Sequence, residues 1–276
     1  MNTSSEMAPS QSEYDAFCDF LRRSCGIVLS QDKQYLVNSR LSRLARERGY
    51  PSISQLLREL NTDRALAHAA IEAMTTNETS WFRDRTPFVN LQDHILPELF
   101  SKRDRLRIWS AACSTGQEPY SISMTIDETQ RLQRMATAPT VDILATDVAQ
   151  KVLNEAEIGR FDALSTARGL TDDMRARYFK REGEQWQLQA HIRNRVTFRQ
   201  FNLLNSFAVL GPFDLIFCRN VLIYFAPEVK EDVLRRLAQA LNPGGYLILG
   251  ASETANRITD LLELVRLPQG LVYRRR

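Results

Sequence analysis

Around Leu106 the spacing of apolar residues changes, and that change limits the folds open to this chain. Before it, apolar residues recur every three or four positions, as in Phe17, Phe20, Leu21 and Cys25, then Leu36/Val37, Leu41, Leu44 and Ala45. That period is helical. After it they gather in short runs at 106–112, 141–145, 196–201, 213–218 and 246–249, separated by turn residues and by helical stretches at 149–158 and 227–241. Strands alternating with helices imply a parallel sheet covered on both faces. The closing runs 262–267 and 271–274 flank Pro268-Gln269-Gly270 and read as an antiparallel hairpin. The expected class is α/β: a Rossmann-like, mostly parallel sheet with a terminal antiparallel hairpin, behind an all-α N-terminal domain.

The domain boundaries follow from the same pattern. Residues 1–75 form the helical domain, with a second helix starting near Gln31-Asp32 and further helices over 52–60 and 63–74. Residues 76–92 are a linker that contributes to the ligand site, its polar start Thr75-Thr76-Asn77-Glu78-Thr79-Ser80 being rich in capping residues. A helix is expected over 87–100. Residues 93–276 form the ligand-binding domain, interrupted over about 162–195 by a small inserted β-subdomain with a short strand at Trp186-Gln187-Leu188-Gln189.

Several classes are excluded early. No apolar run approaches the ~20 residues of a membrane helix, and residues 1–12 are polar, without the apolar centre of a signal peptide. A cytoplasmic location without membrane insertion is expected. Cys18, Cys25, Cys113 and Cys218 form no C-x-x-C pair, and His68, His94 and His191 are scattered, so no metal centre is expected. A net charge of +3 is too small to argue for nucleic acid.

Ligands of an open parallel sheet bind beyond the carboxyl ends of the strands. Those ends carry Ser114-Thr115-Gly116-Gln117-Glu118, Asp147, Asn202-Leu203-Leu204 and Arg219-Asn220, with Tyr224 close behind. Asp147 suits a ribose diol, or else starts the helix that follows. Glu118 suits an ammonium group, or else complements a helix N-terminus. The first loop has one glycine and is not G-x-G-x-x-G, which favours a nucleoside without pyrophosphate and counts against a dehydrogenase.

Three strings resemble one family: Thr75-Thr76-Asn77-x-Thr79-x-x-Phe82-Arg83, then Trp109-Ser110-Ala111-Ala112-Cys113-Ser114-Thr115-Gly116-Gln117-Glu118-Pro119-Tyr120-Ser121, then Phe217-Cys218-Arg219-Asn220-Val221-Leu222-Ile223-Tyr224-Phe225. They resemble the chemotaxis receptor methyltransferases, CheR, from about Tyr14 to Tyr273. Gln117 stands where some relatives have Glu. The resemblance implies a class I methyltransferase fold and methylation of chemoreceptor glutamate side chains, using S-adenosyl-L-methionine and releasing S-adenosyl-L-homocysteine. Carried over by motif position, Asn77, Thr79, Arg83, Glu118, Asp147, Asn202, Leu203, Arg219 and Asn220 would line the cofactor site, and Tyr224 would lie near the transferred methyl.

A glutamate carboxylate is ionised at neutral pH and is already a nucleophile, so what remains is positioning. Arg83 is the candidate to orient that carboxylate bidentately, against a purely structural surface arginine; Tyr224 is otherwise a core aromatic. The basic face Lys33, Arg40, Arg43 and Arg46 could dock on the helical bundle of a receptor's cytoplasmic part, or simply be solvated. Some relatives tether to a pentapeptide at the receptor C-terminus through a glycine-containing loop of the β-subdomain. The matching stretch 179–188 is short with one glycine, so independence of the tether is expected, as is action as a monomer. A nucleic-acid methyltransferase is disfavoured because Arg219-Asn220-Val221-Leu222 stands where base-methylating enzymes commonly carry Asn/Asp-Pro-Pro-aromatic. A cofactor-bound regulator without turnover is disfavoured by Arg83, Asp147 and Tyr224.

Overall fold

The computed structural model describes residues 9–134 and 138–276, so the first eight positions of the polar 1–12 stretch lie outside the described residues. The described chain divides into two compact units.

The first unit runs to Thr76. Helix α1 (Gln11–Cys25) opens on a reciprocal cap, in which Ser10 Oγ accepts from Glu13 N and the Glu13 carboxylate accepts from Ser10 N; it closes on Gly26 at φ 82°. A 3₁₀ turn at Gln31–Lys33 leads into α2 (Gln34–Glu47). Helices α3 (Ile53–Glu59) and α4 (Arg64–Met74) start where Ser52 and Asp63 accept from Gln55 N and Leu66 N. Their apolar faces bury Tyr14, Phe17, Leu21, Val37, Leu41, Ile53, Leu56 and Leu66. Tyr224–Val229 also belongs to this unit, because Phe225 forms a β-bridge with Ile27 and Val28 N donates to Tyr224 O at 2.9 Å. The sequence assigned that segment to the 93–276 domain. A lone bridge between distant positions leaves no periodic signal to correct it.

The second unit spans Asn77–Ile223 and Lys230–Arg276. Where one helix was expected over 87–100, α5 (Thr86–Asn90) and α6 (Leu96–Lys102) are joined by a π turn over Leu91–Ile95. Leu96 N–H reaches back five residues to Leu91 O, and Pro97, next in line, has no N–H to restore the ordinary ladder. The sheet is built from β1 (Arg105–Ala111), β2 (Thr140–Asp147), then, after the insert, β6 (Val196–Gln200), β7 (Phe213–Cys218), β8 (Leu241–Leu249), β9 (Leu262–Leu267) and β10 (Gly270–Arg275). Its order is β6-β2-β1-β7-β8-β10-β9, parallel up to β8 and antiparallel beyond. All six residues of β7 are buried without alternation, as a strand covered on both faces requires. Helices α7 (Gln117–Leu132), α8 (Gln150–Ile158) and α12 (Pro227–Ala240) link the strands, α12 taking its first turn in the other unit. On β1, Trp109 packs against Phe201, Phe207 and Phe213, and its indole N–H donates to Thr146 Oγ1 at 2.9 Å. The expected fifth strand lengthens backwards: Leu241 faces Phe213 and Tyr246 faces Leu215, so residues 242–245 bulge between. The Asp214 carboxylate holds that bulge by accepting from Asn242 Nδ2 at 2.8 Å.

The insert begins at β3 (Arg160–Asp162), two residues before the sequence limit, and adds α9 (Ala163–Ala167) and α10 (Asp172–Tyr178) before β4 (Phe179–Glu182) and β5 (Gln185–Leu188). The three strands pair antiparallel in the order β3-β5-β4, and α11 (Ala190–Arg193) returns the chain to β6. Trp81, 1% exposed, fastens this subdomain by edge contacts to Phe161 and Phe179 at 4.8 and 5.2 Å. Gly169 lies against it at φ 105°, where a Cβ would stand 2.0 Å from Trp81 O. Gly169→Ala is therefore expected to cost more than the ~1–2 kcal/mol of a left-handed alanine alone. A urea titration reads the change, and an unaltered midpoint would refute the close contact.

Candidate functional site

Strand order reverses between β1 and β7, since the chain runs outward from β1 to β2 and β6, then returns to β7 and β8. The crevice beyond the carboxyl ends of these strands is the expected ligand position. The loop leaving β1 is wound tightly, with Ala112 at φ 59°, Ser114 at φ 51° and Gly116 at φ 91°. Such conformations cost side-chain-bearing residues about 1–2 kcal/mol each and persist only where the surroundings hold them. Here Ser114 N donates to Asp147 Oδ2 and Ser114 Oγ to Asn77 O, both at 2.9 Å. Gly116 is required twice over, by its φ and because a Cβ would lie 2.9 Å from Ala156 Cβ.

Asp147 ends β2 and is 6% exposed. Its Oδ1 accepts from Ala149 N at 3.0 Å. The N-cap position of α8 is Ala149, so Asp147 does not start that helix; it ties the β1 loop to the β2 end. Glu118, in the first turn of α7, accepts from Ser110 Oγ at 2.8 Å and from Arg219 Nη1 at 3.0 Å. Burial pushes its carboxyl above the usual range, Arg219 pulls it down, and Glu253 nearby adds to the rise. Arg219 follows β7 with its side chain 1% exposed, and its Nη2 also donates to Asp84 Oδ2 at 2.6 Å and to Arg83 O at 2.9 Å. These bonds hold a turn in which Phe82, Asp84 and Arg85 all have positive φ. Ser121 Oγ accepts from Phe82 N at 3.0 Å in the same turn.

The structure thus links Asn77, Asp147, Glu118, Arg219 and the backbone of Arg83 through short polar contacts around the β1 and β7 ends. The Arg83 side chain itself donates to Glu78 O at 2.8 Å. Asn202 Oδ1 accepts from Leu204 N at 3.0 Å beside buried Leu203, and Phe201 N bonds Asp147 O at 2.8 Å. Thr79 is half-buried. Asn220, at φ 57°, has its N–H on the Glu253 carboxylate at 2.8 Å. Tyr224 is grouped with the helical unit. In that unit Arg40 is spent on the end of α4, donating to Met74 O at 2.8 Å and Thr75 O at 3.0 Å. Arg43 pairs with Glu47 at 2.8 Å, Lys33 with Asp32 at 3.7 Å, and Arg46 is exposed. The four basic residues therefore do not share one role. Sequence reasoning quoted Ser110 and Ser114 in its strings but gave them no role, and it missed Asp84 and Glu253. Of the two missed, Glu253 had a readable signal, an acidic residue four positions past the end of a strand.

Residues 77–271 match the family described as CheR methyltransferase, SAM binding domain, and residues 12–75 match CheR methyltransferase, all-alpha domain. The chain is 47% identical to Chemotaxis protein methyltransferase 1 of Pseudomonas aeruginosa, over 97% of this chain and 99% of that one. It is 48% identical to Chemotaxis protein methyltransferase 1 of Vibrio cholerae, over 96% and 97%. A chemotaxis protein methyltransferase of Listeria monocytogenes is 33% identical over 88% of this chain and 90% of that one.

S-adenosylmethionine is the cofactor of such a domain, and the residues present suit it. Arg219 Nε is buried with no partner among the described residues, and Glu118 keeps 12% of its side chain exposed. A donor and an acceptor thus stand at the crevice for an amino-acid moiety.

Arg219→Met would leave Glu118 without its counter-ion, at an expected cost of about 3–5 kcal/mol near neutral pH. The Glu118 carboxyl would then rise further, so the folded state would hold its proton to higher pH than the unfolded chain. Stability would fall as pH rises between those two values, and the deficit would shrink on acidification. Urea midpoints for both chains across pH 4–8 read this, and a deficit that grows towards acid would refute it.

Proposed function

The chain belongs to the CheR methyltransferase family, and from that premise we propose that it is a protein-glutamate O-methyltransferase acting on chemoreceptors. The observation that carries the reading is the crevice itself. Two carboxylates and one buried guanidinium meet there, while His94 and His191 of the same unit sit on the Leu91–Ile95 π turn and α11, neither of them a loop after a sheet strand. Such a site orients and needs no base, which matches an acceptor that is already an anion.

Asn77, Thr79, Arg83, Glu118, Asp147, Asn202, Leu203, Arg219 and Asn220 hold S-adenosylmethionine in this reading. When bound, that cofactor supplies an electrophilic methyl group. Glu118 accepts from its ammonium group and Asp147 from its ribose hydroxyls. Arg83 orients the acceptor carboxylate through its guanidinium, and Tyr224 lies beside the methyl path. Lys33, Arg43 and Arg46 meet a receptor's cytoplasmic helical bundle, with Arg40 steadying the end of α4 behind them. The enzyme works in the cytoplasm as a monomer. Names of near-full-length relatives support the chemotaxis setting. The β4–β5 hairpin has four-residue strands and only Gly183-Glu184 between them, which supports catalysis without a pentapeptide tether.

Labelled methyl from S-adenosylmethionine should appear on receptor-sized protein in chemoreceptor-rich membranes and be released by alkali, as carboxyl methyl esters are. Label that resists alkali, or no transfer, would refute the glutamate assignment. Calorimetry with the isolated receptor C-terminal pentapeptide should show no micromolar binding; micromolar affinity would overturn tether independence.

A further inference from the structure

Glu253 lies in the turn after β8 and is 8% exposed. Its Oε1 accepts from Val221 N at 3.0 Å and Leu222 N at 2.8 Å, and its Oε2 from Asn220 N and Gly250 N, both at 2.8 Å. One carboxylate thereby gathers four backbone N–H groups, three of them consecutive and directly after Arg219. An ionised carboxylate is an acceptor at all its lone pairs, so it can satisfy four donors where a neutral amide cannot. Gly250 leaves room for this arrangement, since a Cβ there would stand 2.7 Å from Glu253 Oε2, 2.9 Å from Asn220 N and 3.1 Å from Asn220 Nδ2. Asn220 sits at φ 57°, in the left-handed region that asparagine enters more readily than most side-chain-bearing residues.

We propose that Glu253 is a positioning residue for the cofactor: by anchoring the backbone of 220–222 it fixes where Arg219 and Asn220 present their side chains. The inference rests on the cofactor-lining role read above for those two residues. Glu253 itself touches neither cofactor nor acceptor.

The test uses the full chain and S-adenosylhomocysteine as probe. Glu253→Gln keeps the shape but turns a donor amide towards backbone donors. Gly250→Ala keeps the charge and displaces the carboxylate. Titration calorimetry is expected to show at least tenfold weaker binding in each, with the KM for S-adenosylmethionine raised and that for the receptor substrate held. Glu253→Asp, charged but one methylene shorter, should recover part of the affinity. Binding within twofold of the unaltered chain by either folded variant, or a fall in kcat alone, would overturn the proposal. So would loss of the folded state in both variants, since the four bonds would then serve stability only. No binding by the unaltered chain would instead refute the cofactor site itself.

Discussion

A guanidinium with 1% of its side chain exposed cannot stay unpaired, and much of the catalytic unit is arranged around that demand. Arg219 leaves β7 and meets Glu118 from the β1 side, Asp84 and the Arg83 carbonyl from the segment before α5. Three stretches far apart in sequence are thereby fixed to one buried charge. Its ring neighbour Phe88, 5.9 Å away, closes the apolar side. Replacing such a group breaks several bonds at once, which is why buried ion pairs are costly to interrupt even when their net worth is modest.

The second recurring device is a carboxylate that accepts backbone N–H groups where the chain leaves a strand. Asp147 does this for Ser114 and Ala149, and Glu253 for the turns after β7 and β8. Each holds a backbone that would otherwise relax, and two of the residues so held, Ser114 and Asn220, sit at positive φ. A site that works by positioning needs this rigidity more than it needs a proton shuttle.

The sheet supplies the platform. Strand β7 is buried along its whole length, as are residues 108–111 of β1 and 245–248 of β8, so these strands cannot slip without exposing a row of side chains. The loops can then carry strain because the strands beneath them do not move. The inserted subdomain is held by a different means, aromatic edge contacts to Trp81 and a glycine pressed against its carbonyl, which leaves its outer hairpin free of the crevice's constraints.

The sequence by itself determined the fold class and the position of most elements, because periods of 3.6 and 2 are local properties of a chain. It also determined which loops carry Glu118, Asp147 and Arg219, since those follow recognisable strands and match family strings. It did not determine that Leu91–Ile95 winds as a π turn, that β8 starts at Leu241, or that Tyr224–Val229 joins the helical unit. Nor did it show that Arg40 caps α4 rather than joining a free basic face. All but the first of those outcomes depend on pairings between residues tens to hundreds of positions apart. Such pairings are chosen by packing and by the need to satisfy every buried donor, and only the tertiary structure settles them.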